Sequence, residues 1–245
     1  MLREIKTLSH PQYNHDMGSQ IASSPQNLQC KGILFDMDGV LISSLGSVER
    51  SWTKWAQMRG VDPALACRIA QGCRSIETVS RLRPDLDPQA ENMVIEAIEM
   101  EDTEGVTVLP GVLELISSLP RDRWTVVTSA TEPLARVRLA AGGIPVPERI
   151  ITAESVSHGK PDPAPYLAGA ALLGFAPGDC VVFEDSEAGV RAGLAARCTV
   201  IATTFSHSIE ELRRAKFLVS DLTGIRAQTA PMGDQITLQF SPLDV

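Results

Sequence analysis

"KGILFDMDGVLISS", residues 31–44, decides the fold. The apolar run that ends at Phe35 gives way at once to Asp36 and Asp38, and a glycine follows at 39. A short apolar run cut off by turn-forming residues is the pattern of a strand buried on both faces, as in a parallel sheet. In open parallel sheets, ligands bind beyond the C-terminal ends of the strands, where strand order reverses. Two carboxylates at such an edge are therefore candidates for chemistry as well as for turn formation.

Working outward, further candidate strands cover Trp124–Thr128, Arg149–Thr152, Cys180–Phe183, Thr199–Ala202 and a weaker Phe217–Val219. Helical patterns alternate with them at Val112–Ser118, Pro133–Ala141, Pro163–Leu173, Ser186–Ala196 and Ser208–Ala215. Such alternation predicts an α/β fold, a Rossmann-like doubly wound parallel sheet with helices on both faces. The interval 47–109 breaks it: "VERSWTKWAQMRG", "SIETVSRLRPD" and "PQAENMVIEAIEMED" carry helical signals only. The expected organisation is a flexible polar arm over 1–29, a core over 30–46 and 110–226, a small helical domain inserted at 47–109, and a terminal extension over 227–245.

At 245 residues with 44% hydrophobic content, the chain can bury a full core. A formal charge of -8 argues against a general nucleic-acid or anionic-membrane surface, so an anionic substrate must find local positive charge. Five cysteines, Cys30, Cys67, Cys73, Cys180 and Cys198, show no metal-ligand spacing and suit a reducing compartment. They read mostly as small packing residues; Cys73, because of its neighbours, is the candidate exception as a reactive thiol, with packing the favoured reading. With no signal-like or membrane-spanning run, the expected location is the cytoplasm. In the polar arm, His10, His15 and Asp16 read as a solvated tail rather than a metal site.

Three strands end in chemistry: Asp36 and Asp38 after the first, Thr128 and Ser129 after the second, Glu184 and Asp185 in "CVVFEDSEAG". Taken singly, each has a turn or helix-cap explanation. "DMDG" is not a calcium loop, because Val40 and Ser47 occupy the fifth and twelfth positions where oxygen ligands are needed. Four carboxylates at one sheet edge repel one another unless a cation joins them, and Mg²⁺ suits a few carboxylates completed by water and phosphate. Lys160, in "HGKPDP", supplies positive charge, and Pro161 keeps it out of a helix.

With "ILFDMDGVL", "VVTSAT", "GKPDP" and "VVFEDSEAG" in that order, the chain resembles the haloacid dehalogenase superfamily of phosphohydrolases over about residues 31–226. The helical insertion corresponds to that superfamily's cap in its small helical-cap group. The resemblance implies that Asp36 is the nucleophile and forms an aspartyl-phosphate, and that Asp38 acts as general acid and then base. It implies Mg²⁺ held by Asp36, Asp185 and the backbone carbonyl of Asp38, with Glu184 in support directly or through water. Thr128 or Ser129, together with Lys160, would bind phosphate oxygens.

Among relatives, the resemblance is closest to phosphatases of small polyol and sugar phosphates, through "GCRSIET", "RDRWTVVTSAT", "GKPDPAPYL" and "VIATTF". The expected partner is thus a small phosphorylated metabolite, with neither nucleic acid nor membrane, and a monomer favoured. Arg74 is the candidate for reaching from the cap into the site, its alternative being a solvated charge at a helix end. The alternative activity is that of a β-phosphoglucomutase-like phosphotransferase. That pattern has a His where Val48 stands and Asp-Thr in place of Ser43 and Ser44. A catalytically silent binding module would be expected to lack Asp36, Asp38 or Lys160. Trp52 and Trp55 are expected to pack on a helix face rather than line the cap pocket.

Overall fold

The computed structural model describes residues 24–70, 73–229 and 235–244. Its centre is a five-stranded parallel sheet of β2 (Gly32–Phe35), β5 (Trp124–Val126), β6 (Cys180–Glu184), β7 (Thr199–Thr203) and β8 (Phe217–Val219). The spatial order is β5-β2-β6-β7-β8, so strand order reverses at β2, the strand that carries Asp36. Both faces of β2 are buried: Ile33 and Phe35 enter one apolar cluster, Leu34 the other. The period of two is present, but since neither face meets water it leaves no polar alternation in the sequence. Phe35 stacks on Phe183 of β6 at 5.1 Å between ring centroids.

Helices cover both faces, as the alternation requires. Helices α5 (Val112–Ser117) and α6 (Glu132–Ala141) contribute Val112, Leu115, Ala135 and Leu139 to the first cluster. On the other side, α7 (Ala164–Leu173) and α8 (Glu187–Ala195) contribute Tyr166, Ala170, Val190 and Ala192, and α9 (Ile209–Leu212) closes that face with Leu212.

Within the insertion, the described residues form four helices in succession: α1 (Leu45–Arg59), α2 (Pro63–Ala70), α3 (Ser75–Leu82) and α4 (Pro88–Glu101). The chain enters and leaves this insertion through a two-stranded antiparallel ladder, β3 (Ile42–Ser43) paired with β4 (Thr107–Val108). The helices share a separate apolar cluster built on Trp52, Trp55, Val79, Ile95 and Ile98. Trp55 is fully buried and donates to Glu91 at 2.8 Å, beside the Arg59–Glu91 ion pair at 2.7 Å. The tryptophans meet edge-on at 5.3 Å, in the packing role expected, although Trp52 also borders the cleft below.

Three expectations need correction. The arm was expected through residue 29, yet β1 (Gln26–Cys30) pairs antiparallel with β10 (Ile236–Phe240), which in turn pairs with β9 (Arg226–Thr229). The supposed terminal extension is therefore part of a three-stranded sheet. Its alternation explains the misreading: Ile236, Leu238 and Phe240 are buried on the core while Asn27, Gln29 and Gln239 face outward. Residues 1–23, with His10, His15 and Asp16, lie outside the described residues. Nor is Arg149–Thr152 a strand; only Ile151 bridges to the sheet, opposite Val127. The Thr125 hydroxyl takes the Arg149 carbonyl at 2.9 Å, and the Ser155 hydroxyl takes the Thr152 N–H at 2.9 Å. Side-chain hydrogen bonds thus replace the ladder.

Candidate active site

The ends of β2, β5 and β6 converge on a cleft between sheet and inserted helices, lined by Asp36, Asp38, Thr128, Ser129, Lys160 and Asp185 among others. Asp36 and Asp185, 149 positions apart, meet there because β2 and β6 are in register: Phe35 lies opposite Phe183, and the Asp36 N–H donates to the Phe183 carbonyl at 2.9 Å. Gly39, at φ +83°, turns the chain after Asp38. A Cβ at that position would stand 1.8 Å from Asp185 Oδ2, so glycine is required for the carboxylate's approach as well as for the left-handed backbone. The Thr203 hydroxyl at the end of β7 fixes this turn by donating to the Gly39 carbonyl at 3.1 Å.

Lys160 is buried and serves two carboxylates: its ammonium bonds Asp36 Oδ1 and lies 2.7 Å from Glu184 Oε1. Glu184 is fully buried and saturated. Tyr166 donates to its Oε1 at 2.6 Å, and the N–H groups of Asp185 and Ser186 and the Ser186 hydroxyl all donate to Oε2. Burial alone would lift its pKa, but Lys160 and these donors hold it below the usual value. Lys160 is affected the opposite way: burial would lower it, and the Asp36 and Glu184 charges outweigh that and raise it.

Asp36 and Asp185 are held differently. Burial, only partly offset by Lys160, pushes Asp36 up to about 7. Burial, with Glu184 and Asp36 beside it, raises Asp185 well above the carboxylate range, although Ser206 donates to its Oδ2. One lysine faces three carboxylates whose oxygens lie within 4.8 Å of one another, which is the electrostatic condition of a cation site. Proximity alone would count Glu184 as a third ligand. Its oxygens already accept from five donors, Lys160 among them, whereas Asp36 accepts from Lys160 and Asp185 from Ser206.

Asp38 points along the cleft rather than into this cluster. The Ser44 hydroxyl donates to it, and Arg138 of α6 approaches its two oxygens at 3.4 and 3.3 Å. The Thr128 hydroxyl accepts the Ala130 N–H at 3.1 Å, keeping its own proton to donate, while Ser129 lines the same cleft.

Arg74 does not reach the acidic cluster. Its guanidinium donates to the carbonyls of Ala153, Ser157 and Val156, and its stem lies against Gly159, where a Cβ would meet Arg74 Cδ at 2.4 Å. It ties the inserted helices to the loop that carries Lys160; bare carbonyls there outcompete an open cleft for its donors. Its sequence neighbour Gly72 lies outside the described residues. Cys73 borders the cleft, but burial, with Glu77 nearby, raises its thiol pKa, away from a reactive thiolate. Arg138, Glu99, Ser206 and Tyr166 escaped the sequence reading. Helical periodicity marks Arg138 and Glu99 only as charges on amphipathic helices, and their partners lie far off in sequence.

The haloacid dehalogenase-like hydrolase family profile matches residues 30–197. The chain is 42% identical over 214 residues to hexitol phosphatase A of Escherichia coli, covering 85% of this chain and 99% of that one. It is 31% identical over 220 residues to glycerol-1-phosphate phosphohydrolase 1 of Saccharomyces cerevisiae, covering 84% and 88%. In fold it resembles β-phosphoglucomutase from Clostridium difficile, with a TM-score of 0.70 at 20% identity over 80% of this chain and 93% of that one. The chain belongs to the haloacid dehalogenase-like hydrolases. Within them it is a phosphoric monoester hydrolase, as its phosphatase relatives are. Among the described residues, no helix is long and apolar enough to cross a membrane.

Proposed function

We propose that this protein is a Mg²⁺-dependent phosphatase of small polyol or sugar phosphates that works through an aspartyl-phosphate on Asp36. The observation that carries the reading is the buried Asp36–Lys160 pair beside Asp185, with a second aspartate, Asp38, two residues on and outside the cluster. The bound divalent ion would be held by Asp36, Asp185 and the Asp38 carbonyl, and would offset charge between carboxylate and phosphate dianion. Lys160 and the Thr128 and Ser129 hydroxyls stabilise charge on the phosphoryl oxygens. The Asp36 carboxylate attacks phosphorus; Asp38 gives its proton to the leaving alcohol and then takes one from the water that hydrolyses the acyl phosphate. Ser44 and Arg138 orient Asp38 for both transfers.

Identity to a hexitol phosphatase and a glycerol-1-phosphate phosphohydrolase supports polyol esters as substrates. Val48, apolar and lining the cleft, gives no donor where the mutase pattern has His. The test is phosphate release from glycerol, hexitol, hexose and glycolate phosphates, with Mg²⁺ or EDTA, by wild type and Asp36→Asn. Metal-dependent release lost in the variant is expected. Conversion of β-glucose 1-phosphate to glucose 6-phosphate with no release from any ester would overturn the proposal in favour of the mutase.

A further inference from the structure

Arg138 is an incompletely satisfied charge in the cleft. Its side chain is 4% exposed, and it stands between Asp38 at 3.3 Å and Glu99 of α4 at 3.3 Å. Both contacts are long for charge-assisted hydrogen bonds, which run about 2.7–2.9 Å. The same molecule shows what a saturated pair looks like: Arg50 binds Asp102 at 2.7 and 2.8 Å, at a far more exposed site. Arg138 Nε and Nη2 find no hydrogen-bond acceptor among the described residues, the Glu99 approach being a charge contact out of alignment. A buried N–H without an acceptor costs about 1–3 kcal/mol, a cost relieved when the Arg138 side chain, which borders the cleft, turns its donors to an acceptor there.

Position identifies what that is. Arg138 links Asp38, the general acid of the proposed mechanism, to Glu99 on the inserted helices. All three border one cleft of about 890 Å³ including its open mouth, with Leu45, Val48 and Leu134 as apolar lining. Unpaired donors next to a carboxylate acceptor match a hydroxyl, which accepts and donates at once. A second phosphate or carboxylate on the substrate would meet Glu99, and a purely apolar group would leave Arg138 unpaired.

Resting on the phosphatase reading, we propose that Arg138 and Glu99 form a subsite for hydroxyls on the carbons next to the ester, selecting polyol or sugar leaving groups. The Arg138 guanidinium donates to a hydroxyl oxygen, and the Glu99 carboxylate accepts a hydrogen bond from a hydroxyl. Because Glu99 belongs to the insertion and Arg138 to the core, a bound polyol bridges the two.

The experiment compares kcat/KM for sorbitol 6-phosphate and for n-propyl phosphate, which lacks the hydroxyls, in wild type, Arg138→Lys and Glu99→Gln, with circular dichroism to check folding. Arg138→Lys keeps a positive charge for Asp38 but removes the forked donors; Glu99→Gln keeps shape and removes charge. The expected result is a wild-type preference for the hexitol ester that falls about tenfold to a hundredfold in either variant, mostly through KM. Equal loss on both esters would make Arg138 only a positioning residue for Asp38 and overturn the subsite. A wild type that hydrolyses both esters without preference would overturn the subsite and leave a phosphatase standing. Release from neither ester would overturn the phosphatase reading, and the subsite with it.

Discussion

Asp36→Asn should stabilise the metal-free protein while abolishing turnover. In the folded state Asp36 lies at about 7 instead of 3.8, because burial outweighs Lys160. The folded protein therefore binds that proton more tightly than the unfolded chain, and metal-free stability falls as pH rises from about 4 to about 7. At one pKa unit per 1.36 kcal/mol, holding Asp36 ionised at pH 8 costs about 2–4 kcal/mol. Asparagine removes that cost without stranding Lys160, which keeps Glu184 at 2.7 Å. The variant should melt roughly 5–10 °C above wild type at pH 8 in EDTA, given about 2–4 °C per kcal/mol for a chain of this size. Near pH 4 the difference should vanish, and saturating Mg²⁺ should raise the wild-type melting temperature at pH 8 but not the variant's. Thermal melts followed by circular dichroism at the two pH values, with EDTA or Mg²⁺, decide the matter. An Asp36→Asn protein less stable than wild type at pH 8 in EDTA, or a difference indifferent to pH, would refute the reasoning.

Gly39→Ala combines a left-handed φ of +83° with a Cβ placed 1.8 Å from Asp185 Oδ2; about 1–2 kcal/mol of stability should be lost, and calorimetric titration should show Mg²⁺ affinity down at least tenfold. Tyr166→Phe removes the 2.6 Å donor to the Glu184 carboxylate, so urea denaturation should report a loss of about 2 kcal/mol, with turnover reduced less than by Lys160→Met, which leaves Asp36 and Glu184 uncompensated. Glu91→Ala strands Trp55 Nε1 and Arg59; a loss of about 2–4 kcal/mol should appear as a lowered melting point with altered tryptophan emission.

The main strands were legible because the parallel sheet is assembled from short apolar runs punctuated by turn residues, and Asp36, Lys160 and Asp185 stand where such runs and their loops end. The small antiparallel sheet was not, because half of β1 and β10 faces outward and reads as polar tail. Arg149–Thr152 has strand composition, yet side-chain hydroxyls of Thr125 and Ser155 take its backbone partners.

By itself, the sequence determined that the chain alternates strand and helix around an insertion and releases carboxylates at strand ends, since local periodicity and turn chemistry are written residue by residue. Only the tertiary structure decided which partners surround each of those carboxylates. Glu184 is committed because five donors from α7, the Lys160 loop and its own turn converge on it. Asp38 is turned toward Arg138 and Glu99, 100 and 61 positions away in the chain, because α6 and α4 meet above the sheet. Hydrogen-bond saturation and desolvation depend on what surrounds a group in space, and no spacing along the chain encodes them.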